Sequence, residues 1–190
     1  MHPIAHFRTI TRHRHLVCSY CLRLGLIRQG LLHDLSKYSP TEFWRGAKYY
    51  RGFESPNDAE RRETGITLAW LHHKGRNRHH FEYWIDWQTT DDGNVIYAGN
   101  PMPICYVAEM FCDRIAASRI YLGEKYTDAA PYEYLVHHIP EGTMHPDTVR
   151  EIEGMLRILK EQGEEAAFRY VRKRLKDEKE KNRGQQRSGT

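Results

Sequence analysis

The stretch Leu-Leu-His-Asp-Leu-Ser-Lys-Tyr-Ser-Pro, residues 31–40, is the most informative part of this sequence. It places the imidazole of His33 next to the carboxylate of Asp34, and Lys37 follows three residues later. Two leucines precede the pair and Pro40 follows it, which indicates a buried turn near a helix end. Adjacent residues cannot point the same way along a helix, but from such a turn both side chains could reach one ion held between helices.

Histidine is the residue type that could complete such a site, since the chain contains 12 histidines. Besides the tandem pair His137-His138, four of them form the pairs His72-His73 and His79-His80, which have poor helix propensity and favour a metal or anion site. Each pair also fits a simpler role, the first at a helix C-terminus and the second in a surface turn. The further candidate ligands are His13, His15, His72, His73, His79, His80 and Asp113.

Length and composition predict one globular domain. The chain has 190 residues, of which 39% are hydrophobic, and no apolar run approaches the roughly 20 residues of a membrane span. The polar N-terminus has no signal-like apolar core, so we expect a cytoplasmic protein without membrane partners. The four cysteines do not suggest a disulfide scaffold, and we expect them to be buried free thiols rather than a zinc site.

Hydrophobic periodicity predicts an all-α fold of six to eight helices with at most a small hairpin around Asp92-Gly93. A charged tail over residues 179–190 is expected to be disordered. Residues 123–146 could either cover a pocket or pack against the core. The predicted helices span residues 9–29, a short segment carrying His33-Asp34, a segment from Pro40, and residues 58–73, 103–122, 147–162 and 164–176.

The order of the candidate ligands is a histidine, a His-Asp pair, paired histidines and a late aspartate. Over residues 10–120 this order resembles the HD-domain superfamily of metal-dependent phosphohydrolases. The run His-Asp-Leu-Ser-Lys is similar to the His-Asp-x-x-Lys form of the HD-GYP phosphodiesterases, and His72-His73 is similar to their His-His pair. No Gly-Tyr-Pro follows the pair, so cyclic-dinucleotide specificity does not carry over. The sequence of residues 71–84 resembles that of a small, uncharacterised branch of HD-like proteins.

The resemblance implies a compact helical hydrolase domain over residues 1–178 and a role for each candidate residue. The implied metal ligands are His13, His33, Asp34, His72, His73 and Asp113. The implied catalytic residues are Asp34, which could bridge two ions, and Lys37. The implied substrate-binding residues are Lys37, Arg76, Arg78, His79 and His80.

Two of these ligands have rivals in the sequence. His15 competes with His13, but in the superfamily the first histidine usually precedes a core valine by four residues, and Val17 meets that rule for His13. Glu109 competes with Asp113, because the two are four residues apart and share a helix face. The Asp-Arg-hydrophobic pattern after Cys112 favours Asp113.

Imidazole and carboxylate ligands together favour one or two divalent ions such as Mn, Fe, Co, Ni or Zn over Mg. Such ions activate water and polarise phosphoryl oxygens. We therefore expect a metal-dependent phosphomonoesterase or phosphodiesterase that acts on a small phosphorylated compound, with a nucleotide as one candidate.

Two other functions fit the same sequence. Some relatives of the superfamily use a histidine-rich di-iron site for oxygenation. Alternatively, the net charge of +4 and the basic residues between Arg172 and Arg187 could mark a non-enzymatic helical protein that binds nucleic acid and contains a structural metal. We favour the hydrolase over both.

Overall fold

The computed structural model describes residues 1–138 and 142–188. In these residues the chain forms nine α-helices and one two-stranded sheet. The helices are α1 (Pro3–Arg23), α2 (Ile27–Leu32), α3 (Pro40–Tyr49), α4 (Pro56–Thr64), α5 (Leu68–Lys74), α6 (Ile104–Leu122), α7 (Ala130–His138), α8 (Pro146–Gln162) and α9 (Glu164–Ser188). The strands are β1 (Ile85–Thr89) and β2 (Val95–Gly99). None of the helices in the described residues is long and apolar enough to cross a membrane.

Because the described residues include a small β-sheet, the fold is mainly helical rather than all-α. Strands β1 and β2 pair antiparallel, with Ile85 opposite Gly99 and Thr89 opposite Val95. Gly93 in the connecting turn has φ of +82°, a conformation that glycine adopts at little cost. The hairpin predicted around Asp92-Gly93 and the mainly helical character of the fold are thus confirmed. The finer prediction of an all-α fold with six to eight helices is corrected, since the described residues form nine α-helices and a small sheet.

Two predicted helices are each divided in the structure. The segment predicted over residues 9–29 forms α1, which begins at Pro3, and α2, with Gly25 at φ +74° between them. The segment predicted over residues 58–73 forms α4 and α5. Gly65 ends α4 in the left-handed conformation, and the Thr67 side chain accepts a hydrogen bond from the Trp70 N–H at the start of α5.

The C-terminal part of the chain also differs from the sequence prediction. Helix α9 continues to Ser188, through most of the segment predicted to be disordered, and residues 189–190 lie outside the described part. In the segment 123–146, whose role was open, Leu135 and Met144 are buried in the hydrophobic core. This segment therefore packs against the core, with residues 139–141 outside the description.

The hydrophobic core lies among α1, α6, α8 and α9, and it fixes the helices that carry the candidate ligands. Its fully buried members include Val17, Cys21, Phe111, Cys112, Ile115, Ile152, Leu156 and Phe168. All four cysteines are free, but only Cys21 and Cys112 are buried as predicted, whereas Cys18 and Cys105 are partly exposed. Burial of each large side chain stabilises the fold by about 1.5–3 kcal/mol. Because α1 and α6 are anchored in this way, His13 on α1 and Asp113 on α6 are held at fixed positions, with His13 Nε2 2.9 Å from Asp113 Oδ1.

Candidate metal centre

The turn between α2 and the short 3₁₀ helix Leu35–Tyr38 brings His33 and Asp34 to one side. His33 is extended, with φ −50° and ψ 127°, whereas Asp34 is left-handed, with φ 52° and ψ 25°. Among the described residues, Asp34 is the one non-glycine residue with positive φ. Aspartate tolerates this conformation better than most residues, and such local strain concentrates at functional sites. Both side chains are almost completely buried.

A first cluster consists of His13, His33, Asp34 and Asp113. The Nε2 atom of His13 lies 2.9 Å from Asp113 Oδ1 and 3.6 Å from Asp34 Oδ2. The Nε2 atom of His33 lies 3.3 Å from Asp34 Oδ2 and 3.5 Å from His13 Nε2. Ligand atoms about 2.1 Å from a divalent ion are about 3.0 Å apart in octahedral and about 3.4 Å apart in tetrahedral geometry. The spacing of this cluster therefore fits one such ion.

A second cluster consists of Asp34, His73, His79 and His80. The Nε2 atom of His73 lies 3.2 Å from Asp34 Oδ1 and 3.0 Å from His80 Nε2. The Nε2 atom of His79 lies 3.5 Å from the same Asp34 oxygen. Both Asp34 Oδ1 and His79 Nε2 are buried without a hydrogen-bond partner among the described residues. Buried polar atoms normally have partners, so these two atoms fit a donor set for a cation.

Asp34 belongs to both clusters because its two carboxylate oxygens face in different directions. Oδ2 faces the Nε2 atoms of His13 and His33, and Oδ1 faces those of His73 and His79. Burial by itself would raise the pKa of Asp34, but the neighbouring histidines and Lys37 outweigh it and hold that pKa well below its usual value. Asp34 is therefore an ionised carboxylate that could bridge two ions.

Two buried glutamates contact the histidine rings from outside these two clusters, and one of them, Glu109, also forms a third potential metal-binding group with His33 and His79. Glu109 Oε1 accepts a hydrogen bond from Nδ1–H of His33 at 2.9 Å, and it lies 3.1 Å from Nδ1 of His79. Glu42 Oε2 accepts from Nδ1–H of His73 at 2.7 Å. With the proton held on Nδ1, each Nε2 presents its lone pair to the cluster, and carboxylate partners also increase the basicity of metal-binding histidines.

The charge balance of the centre also suits a cation. Burial would lower the pKa of His33, but Asp34, Asp113 and Glu109 outweigh it and raise that pKa well above its ordinary value. The pKa of His73 is likewise raised against the effect of burial, chiefly by Asp34. The carboxylates therefore attract positive charge at this position, which protons or metal ions could supply.

Lys37 borders the first cluster on the 3₁₀ helix Leu35–Tyr38. Its Nζ lies 2.6 Å from Asp34 Oδ2, and its side chain is 27% exposed. Burial opposes the charged form, but Asp34 and Asp113 outweigh this effect and raise the pKa of Lys37 above its usual value. The site therefore contains a fixed cation that is accessible from one side.

The structure brings together five of the six residues predicted as metal ligands: His13, His33, Asp34, His73 and Asp113. His72 lies outside both clusters, where its Nδ1–H donates to Glu42 Oε1 at 2.6 Å. His79 and His80, predicted to bind substrate, occupy the second cluster instead. The tandem motif was the available signal for this pair, but it could not say that both members of this pair, and only His73 of the other, face the site.

The remaining predicted residues are placed away from the clusters. Arg76 is exposed and donates to the His72 carbonyl oxygen at 3.2 Å. Arg78 is also exposed, donates to the Tyr106 hydroxyl at 3.4 Å and lies 5.6 Å from the Tyr83 ring. His15 is exposed and lines a separate groove between α1 and α6.

Comparison with protein families places residues 2–158 in one of them. The chain belongs to the family of unknown function DUF5662. The matched segment contains both clusters and the two glutamates that orient them, and it ends within α8. No curated protein and no solved structure matches the chain.

Proposed function

We propose that this DUF5662 member is a metal-dependent phosphohydrolase with two divalent ions bridged by Asp34. The observation that carries the proposal is that the two oxygens of one buried aspartate face two separate donor sets. The fit to the HD-domain superfamily is part of the same proposal. It rests on the order His13, His33-Asp34, Lys37 and Asp113 along a mainly helical chain.

The residues of the chain would divide the work as follows. When bound, two divalent ions supply Lewis-acid activation of water and of a phosphoryl group, and they stabilise the charge on the entering and leaving oxygens. Asp34 holds the two sites at a fixed separation, and Glu109 and Glu42 fix the orientation of the histidine rings. The imidazole-rich donor sets favour Mn, Fe, Co, Ni or Zn over Mg.

Lys37 favours phosphoryl transfer over oxygenation as the chemistry of this centre. Its ammonium group lies beside the bridging carboxylate and is partly exposed, so an anionic substrate that reaches the ions would contact it. A fixed cation beside the reacting atoms stabilises the charge of a phosphoryl group in the transition state. A neutral substrate for oxygenation would gain no comparable stabilisation from this residue.

The basic C-terminal helix supports the non-enzymatic alternative less well. Arg174 forms an ion pair with Glu151 on α8, and Lys176 lies 3.7 Å from Glu180. Arg174 thus serves packing between α8 and α9, and these cations are partly neutralised within the fold.

Metal content and phosphoester hydrolysis test the proposal together. We expect the untagged protein to contain up to two equivalents of a transition metal and to release phosphate from generic phosphoesters with Mn, Co or Ni. Asp34→Asn preserves the left-handed backbone but removes the bridging charge, so both ions and activity should be lost. Lys37→Met should retain the ions and lose hydrolysis by about 10²-fold or more.

The matched control is His15→Gln, which changes an exposed histidine on the same helix as His13. It should leave metal content and hydrolysis at the wild-type level. A folded wild-type protein that binds no metal after reconstitution would refute the proposal. Metal that is retained without hydrolysis, together with oxygen-dependent turnover, would support the oxygenase instead.

A further inference from the structure

A small pocket adjoins the metal centre on the side of Lys37. Its volume is about 50 Å³, and residues from α1, α3, α4, α5 and α6 line it together with Lys37. A water molecule takes about 30 Å³ of liquid volume, so the pocket holds about one or two water-sized groups. The polar residues that line it include His6, Thr9, Asn57 and Tyr121.

The helices place this pocket at a defined distance from the first cluster. His6 precedes His13 on α1 by two turns, which is about 10 Å along the helix axis. Tyr121 follows Asp113 on α6 by slightly more than two turns, which is about 12 Å. Lys37 contacts both Asp34 and the pocket, so it connects the pocket to the proposed phosphoryl site.

Among the described residues that line the pocket, His6 has a buried ring nitrogen for which the fold supplies no hydrogen-bond partner. His6 is only 5% exposed, and its Nδ1 has no hydrogen-bond partner among the described residues. The ring lies so close to α3 that a Cβ added at Gly46 would be 2.3 Å from His6 Nε2. A buried polar atom without a partner is costly, and a bound ligand would remove that cost.

The groups around the pocket are mostly neutral hydrogen-bonding groups. Burial, reinforced by Lys37, lowers the pKa of His6 to about 4, so its imidazole is neutral near pH 7. Burial likewise raises the pKa of the Tyr121 phenol and keeps it neutral. The carboxylate of Glu42 is already paired with His72 and His73. Of the described residues that line the pocket, Lys37 is the one full cation.

We infer that the pocket binds the hydroxylated alcohol portion of a small phosphate monoester, with His6 hydrogen-bonded to a substrate hydroxyl. This inference rests on the proposed phosphohydrolase function and names its class of substrate. The phosphoryl group would lie at the two clusters beside Lys37, and the hydroxyl-bearing end of the alcohol, about two non-hydrogen groups, would enter the pocket. A nucleobase exceeds that volume, so a nucleotide would have to leave its base outside the pocket.

Binding measurements on the metal-loaded full chain test this inference without requiring turnover. Isothermal titration would compare glycerol 3-phosphate, whose alcohol carries hydroxyl groups, with methyl phosphate, whose methyl group carries none. We expect the wild-type protein to bind glycerol 3-phosphate at least about tenfold more tightly, the effect of one well-placed hydrogen bond in a buried site. His6→Phe retains a ring but cannot hydrogen-bond, and it should reduce that preference to about twofold or less.

His6→Gln should retain part of the preference because its amide can still donate and accept, and His15→Gln should retain all of it. Equal binding of the two esters by the wild-type protein would overturn the inference and leave the hydrolase proposal intact. The wild-type comparison keeps the test decisive even if His6→Phe does not fold. If neither ester nor inorganic phosphate bound the metal-loaded protein, both proposals would be overturned.

Discussion

The two clusters around Asp34 differ in both their donor atoms and their supports. The first cluster combines two imidazoles with two carboxylates, and its outer ligands His13 and Asp113 lie on the long helices α1 and α6. The second combines three imidazoles with the shared carboxylate, and its ligands come from the seven-residue α5 and the turn that follows it. The first cluster therefore brings more negative charge to a divalent ion and is held more firmly.

This difference predicts that the two clusters bind metal ions with unequal affinity. A divalent ion in the first cluster is stabilised by two carboxylates and by helices anchored in the core. The second cluster offers more nitrogen donors, which suit Zn, Ni or Co better than Mg, and its short supports allow adjustment. We expect the first ion to bind more tightly and the second to exchange more readily.

Among changes that separate the two clusters, the largest effects should come from removing one ligand that belongs to a single cluster. Asp113→Asn should leave about one equivalent of metal, bound in the second cluster, since the first loses a charged ligand. His80→Gln should also leave about one equivalent, but in the first cluster and with slower release to a chelator. Elemental analysis combined with the rate of metal release distinguishes these outcomes. If either variant lost both ions, the clusters would be one cooperative site rather than two.

Intermediate effects should come from the glutamates, which contact histidine rings and not the ions. Glu109 contacts rings of both clusters, whereas Glu42 contacts His73 of the second cluster and His72 outside it. Glu109→Gln should therefore weaken both ions, and Glu42→Gln the second alone, by about 10–100-fold each. Competition titrations with a chromophoric chelator measure these affinities.

Glu63→Gln, an exposed substitution on α4, is the matched control and should leave both affinities unchanged. Retention of wild-type affinity in Glu109→Gln would show that the ring orientation does not depend on this carboxylate. Weakening of the first ion by Glu42→Gln would contradict the assignment of that glutamate to the second cluster.

The sequence predicted the centre best where the signal was local. The His33-Asp34 pair, its distance from Lys37 and the nearby Pro40 identified a turn, and the structure has that turn. The Val17 rule pointed to His13, which faces the first cluster, while His15 is exposed. These predictions succeeded because each depended on neighbouring residues or on one helical face.

The parts that could not be predicted depend on contacts between distant segments. No periodicity links His73 to His79 across the loop that ends α5, so the sequence could not show which members of the two pairs face Asp34. Glu109 was a rival ligand because it shares a face with Asp113, yet it reaches Nδ1 of His33. Glu42 was visible as an early acidic residue of its helix, and its hydrogen bond to His73 on α5 is tertiary.

The positions at which helices end also depend on contacts between distant segments. Gly25 and Gly65 adopt positive φ and divide segments whose apolar patterns look continuous. A glycine within a helical pattern predicts a break only when the next segment must turn toward a packing partner, which is a property of the whole fold. The hairpin was predictable because Asp-Gly determines a tight turn locally.

The smallest effect should come from changing His72, which the sequence predicted as a metal ligand but which lies outside both clusters in the structure. His72 is adjacent to His73, and both donate to Glu42, but only His73 belongs to a cluster. His72→Gln should therefore keep both ions and cost about 1 kcal/mol for one hydrogen bond. In a protein of this size, that loss lowers Tm by about 2–4 °C, which calorimetry would detect.

His73→Gln is the matched variant, because it makes the same substitution one position later on the same helix. It should lose the second ion, since a ligand of that cluster is removed while Glu42 keeps its bond to His72. Loss of an ion from His72→Gln, with both ions retained in His73→Gln, would reverse the assignment. The second cluster would then be built around the other face of α5, and the orientation of that short helix would have to change.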